Sequence, residues 1–156
     1  MMVAGIIFLV FVLDRLTKIW IDTRMDLYQT IPVLENVFHI TYVRNPGGAF
    51  GLLASRPGFF VLANVVIIAL LIYIYREMKP APRLVATAVG LMVGGAMGNL
   101  YDRIRFGTVI DFLDFRIWPV FNIADIGIVV GAGLLAIFLL REGWGPVEKK
   151  KEGEAL

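Results

Sequence analysis

Several residue types on which hydrolases and metalloproteins depend are scarce or missing in this chain. It contains no cysteine, which excludes disulfides, thiolate metal sites and cysteine nucleophiles. It has a single serine, Ser55, and a single histidine, His39, and neither a HExxH nor a GxSxG motif. A serine hydrolase or a histidine-based metalloenzyme would therefore lack necessary groups.

Charged side chains are also scarce, at 18% of 156 residues, whereas hydrophobic residues make up 58% and the mean hydropathy is +0.77. This composition is too apolar for an ordinary soluble domain and indicates an integral membrane protein. The pI near 9.0 alone would suggest nucleic-acid binding, but the net charge is only +2 and the basic residues are scattered. We therefore expect no nucleic-acid partner.

Four apolar segments are long enough to cross a hydrocarbon layer about 30 Å thick, which takes roughly 20 helical residues. They cover residues 2–21, 59–75, 84–100 and 122–140. These segments predict one all-α integral membrane domain over 1–156 with four transmembrane helices. The motif DRLTK interrupts the first segment, and we expect Arg15 and Lys18 to reach water at a membrane interface. No basic region precedes this segment and no small-residue cleavage site follows it, so we expect a retained helix instead of a signal peptide.

Lysine and arginine close to the membrane predict the orientation of the helices. The loop REMKPAPR holds three basic residues in eight positions, and the C-terminal tail carries Arg141 and the run KKK. These two regions are therefore expected in the cytoplasm, together with both termini. The opposite side then carries two outer segments, 22–58 and 101–121, and the cytoplasmic tail covers 141–156. The outer segments also contain arginines, so the density of basic residues decides the orientation and not their total.

The first outer segment carries a strand signal. Apolar and polar residues alternate over VFHITYVRN, and the chain then reaches Pro46, Gly47 and Gly48. Alternation followed by such residues predicts a strand and a tight turn. We expect a small extracytoplasmic β element on the outer face of the helices.

Small residues recur at every fourth position in the third segment and in the fourth. They are Ala86, Gly90, Gly94 and Gly98, and then Gly127 and Gly131. Stripes of small residues let transmembrane backbones approach closely. They predict that the third and fourth helices pack together, with their polar ends on the same side.

Polar and charged residues accumulate at that side. They are Asn99, Asp102 and Arg103 in GNLYDR, then Asp111, and then Asn122 and Asp125 in FNIAD. A charged residue at the centre of a transmembrane helix costs about 2.5 to 3.5 kcal/mol on insertion scales, and such carboxylates usually mark function. Asp125 lies only about 6 Å inside its segment at 1.5 Å per residue. In the alternative interpretation, Asp125 is a carboxylate favoured by the helix dipole, and Asn122 is the N-cap.

Three other acidic residues have simpler structural interpretations. Asp102 next to Arg103 is typical of adjacent charges that fix a loop at a helix end. Asp14 and Lys18 are spaced i, i+4, which predicts a salt bridge within the helix. Asp114 is expected to be solvated and is left out of the chemistry.

Paired carboxylates can form an aspartic protease site. Two close carboxylates share a proton, so that one acts as base on a water and the other as acid on the scissile carbonyl or leaving amine. This chemistry needs no metal and no cofactor. The dipeptide WP at 118–119 interrupts any helix between Asp111 and Asp125, so Asp111 can fold back over the start of the last helix. Two other classes remain open: a transport or proton-relay subunit that uses Asp14 with both aspartates, and a non-catalytic assembly subunit.

Five motifs, in this order, resemble those of the lipoprotein signal peptidase family, also called signal peptidase II. They are DRLTK at 14–18, RNPGGAFG at 44–51, GGAMGNLYDR at 94–103, VIDF at 109–112 and FNIAD at 121–125. Gly48 is one departure, since the family more often has alanine there. The resemblance covers nearly the whole chain.

This resemblance implies a four-helix aspartic peptidase of the bacterial inner membrane. Such an enzyme removes signal peptides from prolipoproteins, cutting before a cysteine that carries diacylglyceryl. Its partners would be these substrates and membrane lipid, and a monomer is expected. The dyad falls on Asp111 and Asp125, near the outer membrane surface. The other matching positions, which line or support the site, are Asp14, Asn45, Asn99, Arg103 and Asn122, with Asp102 as a support for the loop.

Overall fold

Helices and short strands alternate in the computed structural model, which describes residues 1–47, 57–78 and 80–142. The elements are α1 (Met2–Arg24), β1 (Thr30–Leu34), β2 (Phe38–Asn45), α2 (Pro57–Glu77), α3 (Arg83–Phe106), β3 (Val109–Asp114) and α4 (Ile123–Glu142). The helices coincide with the four predicted apolar segments, and α3 continues six residues further than predicted. Ser55, Gly48, Lys79 and the end of the predicted tail lie outside the described residues.

Three of the helices are long and apolar enough to cross a membrane. These stretches are Gly58–Glu77 in α2, Arg83–Phe106 in α3 and Ile123–Arg141 in α4, with mean hydropathies of 2.5, 1.5 and 2.5. α1 has the necessary length, but it carries Asp14, Arg15 and Lys18 in its second half. Within the described residues, length and composition therefore support three spans. The predicted span that they do not support is the first one, which corresponds to α1.

α3 lies at the centre of the helices and contacts α1, α2 and α4. Its apolar stretch is 61% buried, compared with 6% for α2 and 22% for α4. Val85, Val89 and Val93 of α3 pack with Leu71 of α2 and Phe138 of α4 in the main apolar core. Residues on α3 are therefore shielded on several sides by other helices.

The glycine stripe of α3, formed by Gly90, Gly94 and Gly98, packs on α1. A Cβ added to Gly94 would lie only 2.9 Å from the backbone oxygen of Ile7, so the two helix backbones are in close contact. The prediction that this stripe joins the third helix to the fourth is wrong. The spacing shows that a helix has a face of small residues, but it does not identify the helix that packs on this face.

α3 and α4 nevertheless pack together, through a different set of small residues. A Cβ added to Gly95 of α3 would overlap the Ala124 carbonyl oxygen of α4. A Cβ added to Gly131 of α4 would lie 2.6 Å from the Ala88 carbonyl oxygen of α3. Gly127 makes a similar approach to α3. Close packing of these helices is therefore confirmed, and it places the first turn of α4 directly against α3.

The three strands form one antiparallel sheet with β2 in the centre. The strand predicted over VFHITYVRN is confirmed as β2, whereas β1 and β3 have no counterpart in the prediction. Val43 of β2 pairs with Asp111 of β3. Ile21 of α1 packs with Tyr42 and Ile110 in a second apolar cluster, which holds the sheet against the end of α1.

Two local features bring β3 and α4 together. α3 ends at Gly107, which has a left-handed φ of 73° and donates its N–H to the Arg103 carbonyl at 3.0 Å. The chain therefore turns directly from α3 into β3. After β3 the chain returns at Phe121, whose oxygen accepts the N–H groups of Phe112 at 2.9 Å and Leu113 at 2.8 Å. α4 consequently begins beside β3.

Candidate active site

Asp111 and Asp125 lie on two elements that the fold brings together. Asp111 is on β3 and is 3% exposed, whereas Asp125 lies in the first turn of α4 and is half-buried. The segment between them contains Pro119 and forms no helix, and it pairs with β3 again at Phe121. Asp111 therefore lies beside the start of the last helix.

Asn122 connects the two carboxylates. Its Nδ2 donates to Asp111 Oδ1 at 2.7 Å, and its backbone N–H donates to Asp125 Oδ2 at 3.2 Å. The Asn122 Oδ1 in turn accepts the Asp125 N–H at 2.9 Å. The two residues thus cap the start of α4 reciprocally, which satisfies N–H groups that have no partner within the helix. Asp125 therefore caps the start of α4 and also lies near Asp111.

Two further asparagines donate to the same carboxylates. Asn45, the last residue of β2, donates through Nδ2 to Asp111 Oδ2 at 2.9 Å, and its Oδ1 accepts the Gly47 N–H at 2.9 Å. Asn99 of α3 donates through Nδ2 to Asp125 Oδ1 at 2.8 Å. Each carboxylate oxygen of the pair therefore accepts one N–H group from an asparagine.

Burial raises the pKa of Asp111 to about 7. Hydrogen bonds from Asn45 and Asn122 favour its charged form, but they do not outweigh burial together with the negative charge of Asp125. Near neutral pH the two carboxylates can therefore hold one proton between them. One group can then act as a base while the other acts as an acid.

A buried ionic cluster, formed by Asp14, Arg15, Lys18 and Asp102, lies behind these amides. Lys18 Nζ is 2.9 Å from Asp14 Oδ2 and 2.9 Å from Asp102 Oδ2, and Arg15 pairs with the other Asp102 oxygen. The predicted Asp14–Lys18 salt bridge is confirmed. The prediction that Lys18 reaches water is wrong, since its side chain is 0% exposed and its partners lie inside the protein. Arg15 is also mostly buried, with 12% of its side chain exposed.

The two acids of this cluster also hold the backbone at the site. Asp14 Oδ1 accepts the Ala124 N–H at 3.1 Å, which ties α1 to the first turn of α4. Asp102 Oδ2 accepts the Ile110 N–H at 3.2 Å, which ties α3 to β3. Ala124 and Ile110 are the residues that immediately precede Asp125 and Asp111. Each buried acid therefore fixes the backbone next to one of the two candidate carboxylates.

Arg103 lies one helical turn after Asn99 on α3. Its Nη1 is 3.5 Å from the Asn99 carbonyl oxygen, and its guanidinium lies over the Phe60 ring, 5.4 Å from the centroid. Of the acidic residues that the structure describes, none forms a salt bridge with Arg103. The neighbouring Asp102 is not its partner, because the Asp102 side chain points toward α1.

Asp114 is buried, at 5% exposure, which corrects the prediction that it is solvated. Its Oδ1 accepts the Arg116 N–H at 2.8 Å, and its Oδ2 accepts the Thr41 hydroxyl at 2.8 Å and Arg116 Nη1 at 2.9 Å. Burial opposes ionisation of Asp114, but these hydrogen bonds outweigh it and lower the pKa of Asp114. Asp114 therefore holds the turn at Arg116, which has a left-handed φ of 65°.

An apolar pocket of about 490 Å³ opens beside Asp125. Its other lining residues are Phe115, Ile117, Trp118, Phe121, Ile126, Val129 and Val130. Several of these residues come from the segment FRIWPVF between β3 and α4, whose aromatic content was the available signal in the sequence. None of these pocket residues except Asp125 was predicted as a site residue.

The described residues offer acid–base groups and amides at this site, and no metal-binding cluster. Among residues 1–47, 57–78 and 80–142, no three His, Asp or Glu side chains are grouped so that they could hold a metal ion. In the described part of the site, the partners of the candidate carboxylates are amides.

Comparisons with known proteins agree with this chemistry. The family model described as signal peptidase (SPase) II matches residues 6–141. The lipoprotein signal peptidase of Halothermothrix orenii is 46% identical over 142 residues, covering 90% of this chain and 97% of that protein. The lipoprotein signal peptidase of Moorella thermoacetica is 48% identical over 132 residues, covering 85% of this chain and 88% of that protein.

Two solved structures described as bacterial membrane enzymes have the same fold. One has a TM-score of 0.83 at 32% identity and covers 99% of this chain and 94% of its own. The other has a TM-score of 0.81 at 34% identity and covers 90% of this chain and 93% of its own. Fold and relatives together define a bacterial membrane protease of the aspartic type. The chain belongs to the signal peptidase II family.

Proposed function

We propose that Asp111 and Asp125 are the catalytic dyad with which this protease removes signal peptides from prolipoproteins. The family cleaves before a cysteine that carries diacylglyceryl, and membership in it assigns this reaction. The observation that carries the residue assignment is the bridge made by Asn122, which donates to both carboxylates. A bridged pair of this kind keeps two acids close enough to share one proton.

In the proposed mechanism, the ionised carboxylate removes a proton from a water molecule, and the water oxygen attacks the scissile carbonyl carbon. The protonated carboxylate gives its proton to the carbonyl oxygen, which produces a neutral tetrahedral diol. The carbon–nitrogen bond then breaks as the dyad donates a proton to the leaving amine and one diol hydroxyl returns a proton to the dyad. The dyad ends the cycle with one proton, as it began, and no covalent intermediate is formed.

The other site residues support this dyad in the proposal. The amides hold the carboxylate oxygens, and the buried acids hold the backbone before each aspartate. Arg103 adds positive charge next to Asn99, close to the dyad. These supporting residues are Asp14, Asn45, Asn99, Asp102, Arg103 and Asn122.

The apolar pocket beside Asp125 suits the apolar part of the substrate. Its wall of aromatic and branched side chains can exclude water from the diacylglyceryl chains or from the apolar core of the signal peptide. Because the pocket adjoins Asp125, a substrate held there would present its scissile bond to the dyad. We assign this pocket to the lipid-modified substrate within the membrane.

The proposed topology has four spans in the bacterial inner membrane, with both termini in the cytoplasm and the dyad near the outer face. α1 is the fourth span in this scheme. Its charged residues do not oppose spanning, because Asp14 and Lys18 are paired and buried against α3 instead of facing lipid. One copy of the chain contains all the proposed site residues, so a monomer suffices.

A cleavage assay with the purified protein tests this function against a transport subunit and a non-catalytic assembly subunit. The substrate is a synthetic prolipoprotein peptide with a diacylglyceryl-modified cysteine, and the matched control is the same peptide with an unmodified cysteine. We expect release of the signal peptide from the modified peptide, also in the presence of a metal chelator. No cleavage of the modified peptide would exclude the peptidase, and loss of cleavage with the chelator would exclude a metal-free dyad.

A further inference from the structure

Lys18 lies in an unusual environment, and it has no role in the mechanism described above. Its side chain is fully buried, and its Nζ has three partners at 2.9 Å: Asp14 Oδ2, Asp102 Oδ2 and Asn99 Oδ1. The sequence predicted Lys18 at a water interface and outside the site. Burial of an ammonium group costs free energy unless the group is fully paired. A lysine buried next to the site is therefore a candidate for a role in it.

We propose that Lys18 is a positioning residue for the dyad, which acts by fixing the orientation of the Asn99 amide. Lys18 can only donate hydrogen bonds, so the Asn99 atom that faces it must be the oxygen. The Asn99 Nδ2 must then face Asp125, to which it donates at 2.8 Å. This inference rests on the proposed function of the dyad.

A second donor acts on the same oxygen and strengthens this orientation. Asn122 Nδ2 donates to Asn99 Oδ1 at 3.1 Å, while Lys18 Nζ donates to it at 2.9 Å. If the Asn99 amide were reversed, two donors would face its NH₂ group and its oxygen would face the carboxylate of Asp125. Lys18, Asn99 and Asp125 thus form a chain of hydrogen bonds with one permitted direction, which runs from α1 through α3 to α4.

Neutralisation of buried carboxylates is the purely structural alternative. Asp14 and Asp102 are fully buried, and Arg15 supplies a second positive charge only to Asp102. If Lys18 merely balanced these charges, removal of Asp14 together with Lys18 would restore stability and would give the kcat of the single variant Asp14→Asn, because Arg15 still balances Asp102. If Lys18 orients Asn99, the same double substitution would restore stability alone.

The charge of Lys18 also reaches the dyad, which gives a second observable. Lys18 faces Asp14 on its own helix and Asp102 and Asn99 on α3, with Asp125 of α4 beyond Asn99. Its positive charge lowers the pKa of Asp111 on β3, against the larger opposing effect of burial. Loss of Lys18 should therefore move the pH limits of activity upward, which loss of packing alone would not do.

The test compares Lys18→Met, Lys18→Gln and the double variant Lys18→Met/Asp14→Asn with the wild type and with Asp14→Asn alone, by thermal stability, kcat, KM and pH profile on the lipid-modified peptide. The double variant leaves the Arg15–Asp102 pair in place. Loss of a hydrogen bond to a charged group corresponds to about a tenfold or greater fall in kcat. We expect this fall in all three Lys18 variants with little change in KM, and an upward shift of the pH limits in Lys18→Met and Lys18→Gln. Lys18→Gln keeps a polar side chain at the position but removes the cationic donor, so that Asn122 is left as the donor to the Asn99 oxygen. It therefore also tests the proposal if Lys18→Met does not fold.

The double variant decides between the two roles. Recovered thermal stability with kcat well below that of Asp14→Asn supports positioning, whereas a kcat equal to that of Asp14→Asn would overturn it. Wild-type kcat or unshifted pH limits in Lys18→Gln would also overturn it. Asp111→Asn and Asp125→Asn, assayed alongside, separate the two proposals: if they are inactive while Lys18→Gln behaves as wild type, only the role of Lys18 fails. If they are active, the proposed dyad itself fails.

Discussion

At the scale of single residues, the carboxylates of the proposed dyad contact amides, and no lysine or arginine within the described residues forms an ion pair with them. Asn45, Asn99 and Asn122 stabilise the carboxylates by hydrogen bonds but do not titrate. A lysine or arginine in contact with Asp111 would lower its pKa and keep it ionised. Burial raises the pKa of Asp111 to about 7 although hydrogen bonds from the amides lower it, so this group can hold the shared proton near neutral pH.

This arrangement predicts a bell-shaped pH profile of kcat/KM whose two limbs belong to the pair. Because burial raises the pKa of Asp111 to about 7, we expect activity to fall as the pH rises through that value and the shared proton is lost. On the acid side, activity should fall when the second carboxylate gains a proton. Asp114→Asn is the matched control, and it should leave both limbs in place. A profile that is flat from about pH 5 to about pH 9 would contradict a shared proton.

Sequence spacing could predict some residue contacts and not others. The Asp14–Lys18 pair follows from i, i+4 spacing on one helix, and it is confirmed. The burial of Lys18 could not be predicted in this way, because its other partners, Asn99 and Asp102, are more than 80 positions away in the chain. Asp114 was misjudged for the same reason, since Thr41 on the neighbouring strand contacts it.

At the scale of elements, β2 could be predicted because its apolar and polar residues alternate, whereas β3 could not. β3 is buried at five of its six positions and therefore lacks the alternation of a half-exposed strand. Its presence matters for the site, because pairing with β2 places Asp111 beside Asn45. The glycine spacing in α3 correctly indicated close packing, but the partner helix depends on the angular position of each glycine, which the stripe alone does not specify.

The contact between α3 and α4 gives a prediction at this scale. In Gly95→Ala, the new methyl group would overlap the Ala124 carbonyl and push the first turn of α4, which carries Asp125, away from α3. Overpacking of this kind typically costs about 1 to 3 kcal/mol. We expect a lower Tm and a lower kcat for Gly95→Ala. Gly133→Ala on α4 is the control, because no atom lies within 4 Å of the added Cβ.

Equal Tm and kcat in Gly95→Ala and Gly133→Ala would contradict the close approach of the two helices at Gly95. A lower Tm with unchanged kcat would show that the position of the first turn of α4 does not limit catalysis.

At the scale of the whole molecule, α1 differs from the other helices in the position and pairing of its charged residues. The charged residues of α2 and α4 lie in the first or last turn of each helix, whereas α1 carries charges in its second half that it pairs within the bundle. Composition alone therefore supports three spans, and the paired burial of Asp14 and Lys18 is the reason to propose four. With four spans, Met2 and the loop between α2 and α3 lie on one side of the membrane and β1 lies on the other.

The absence of native cysteine makes this topology directly measurable. Single-cysteine variants Met2→Cys, Leu34→Cys and Glu77→Cys place a thiol at three exposed positions. We expect a membrane-impermeant maleimide to label Leu34→Cys from the outer side of the membrane. The other two variants should react only after the membrane is permeabilised. Labelling of Met2→Cys from the same side as Leu34→Cys would show that α1 does not span.

The most direct test of the central claim is the turnover of the lipid-modified peptide by Asp111→Asn and Asp125→Asn, each confirmed as folded by its Tm. Asparagine keeps the shape of the side chain but cannot exchange the proton, and acid–base groups contribute about 100-fold to 10,000-fold in rate. We expect kcat to fall at least about 100-fold in both variants. The control Asp114→Asn, which changes a carboxylate three residues from Asp111, should retain most of the wild-type kcat. A kcat above about a tenth of the wild-type value in either dyad variant would contradict the assignment of that aspartate.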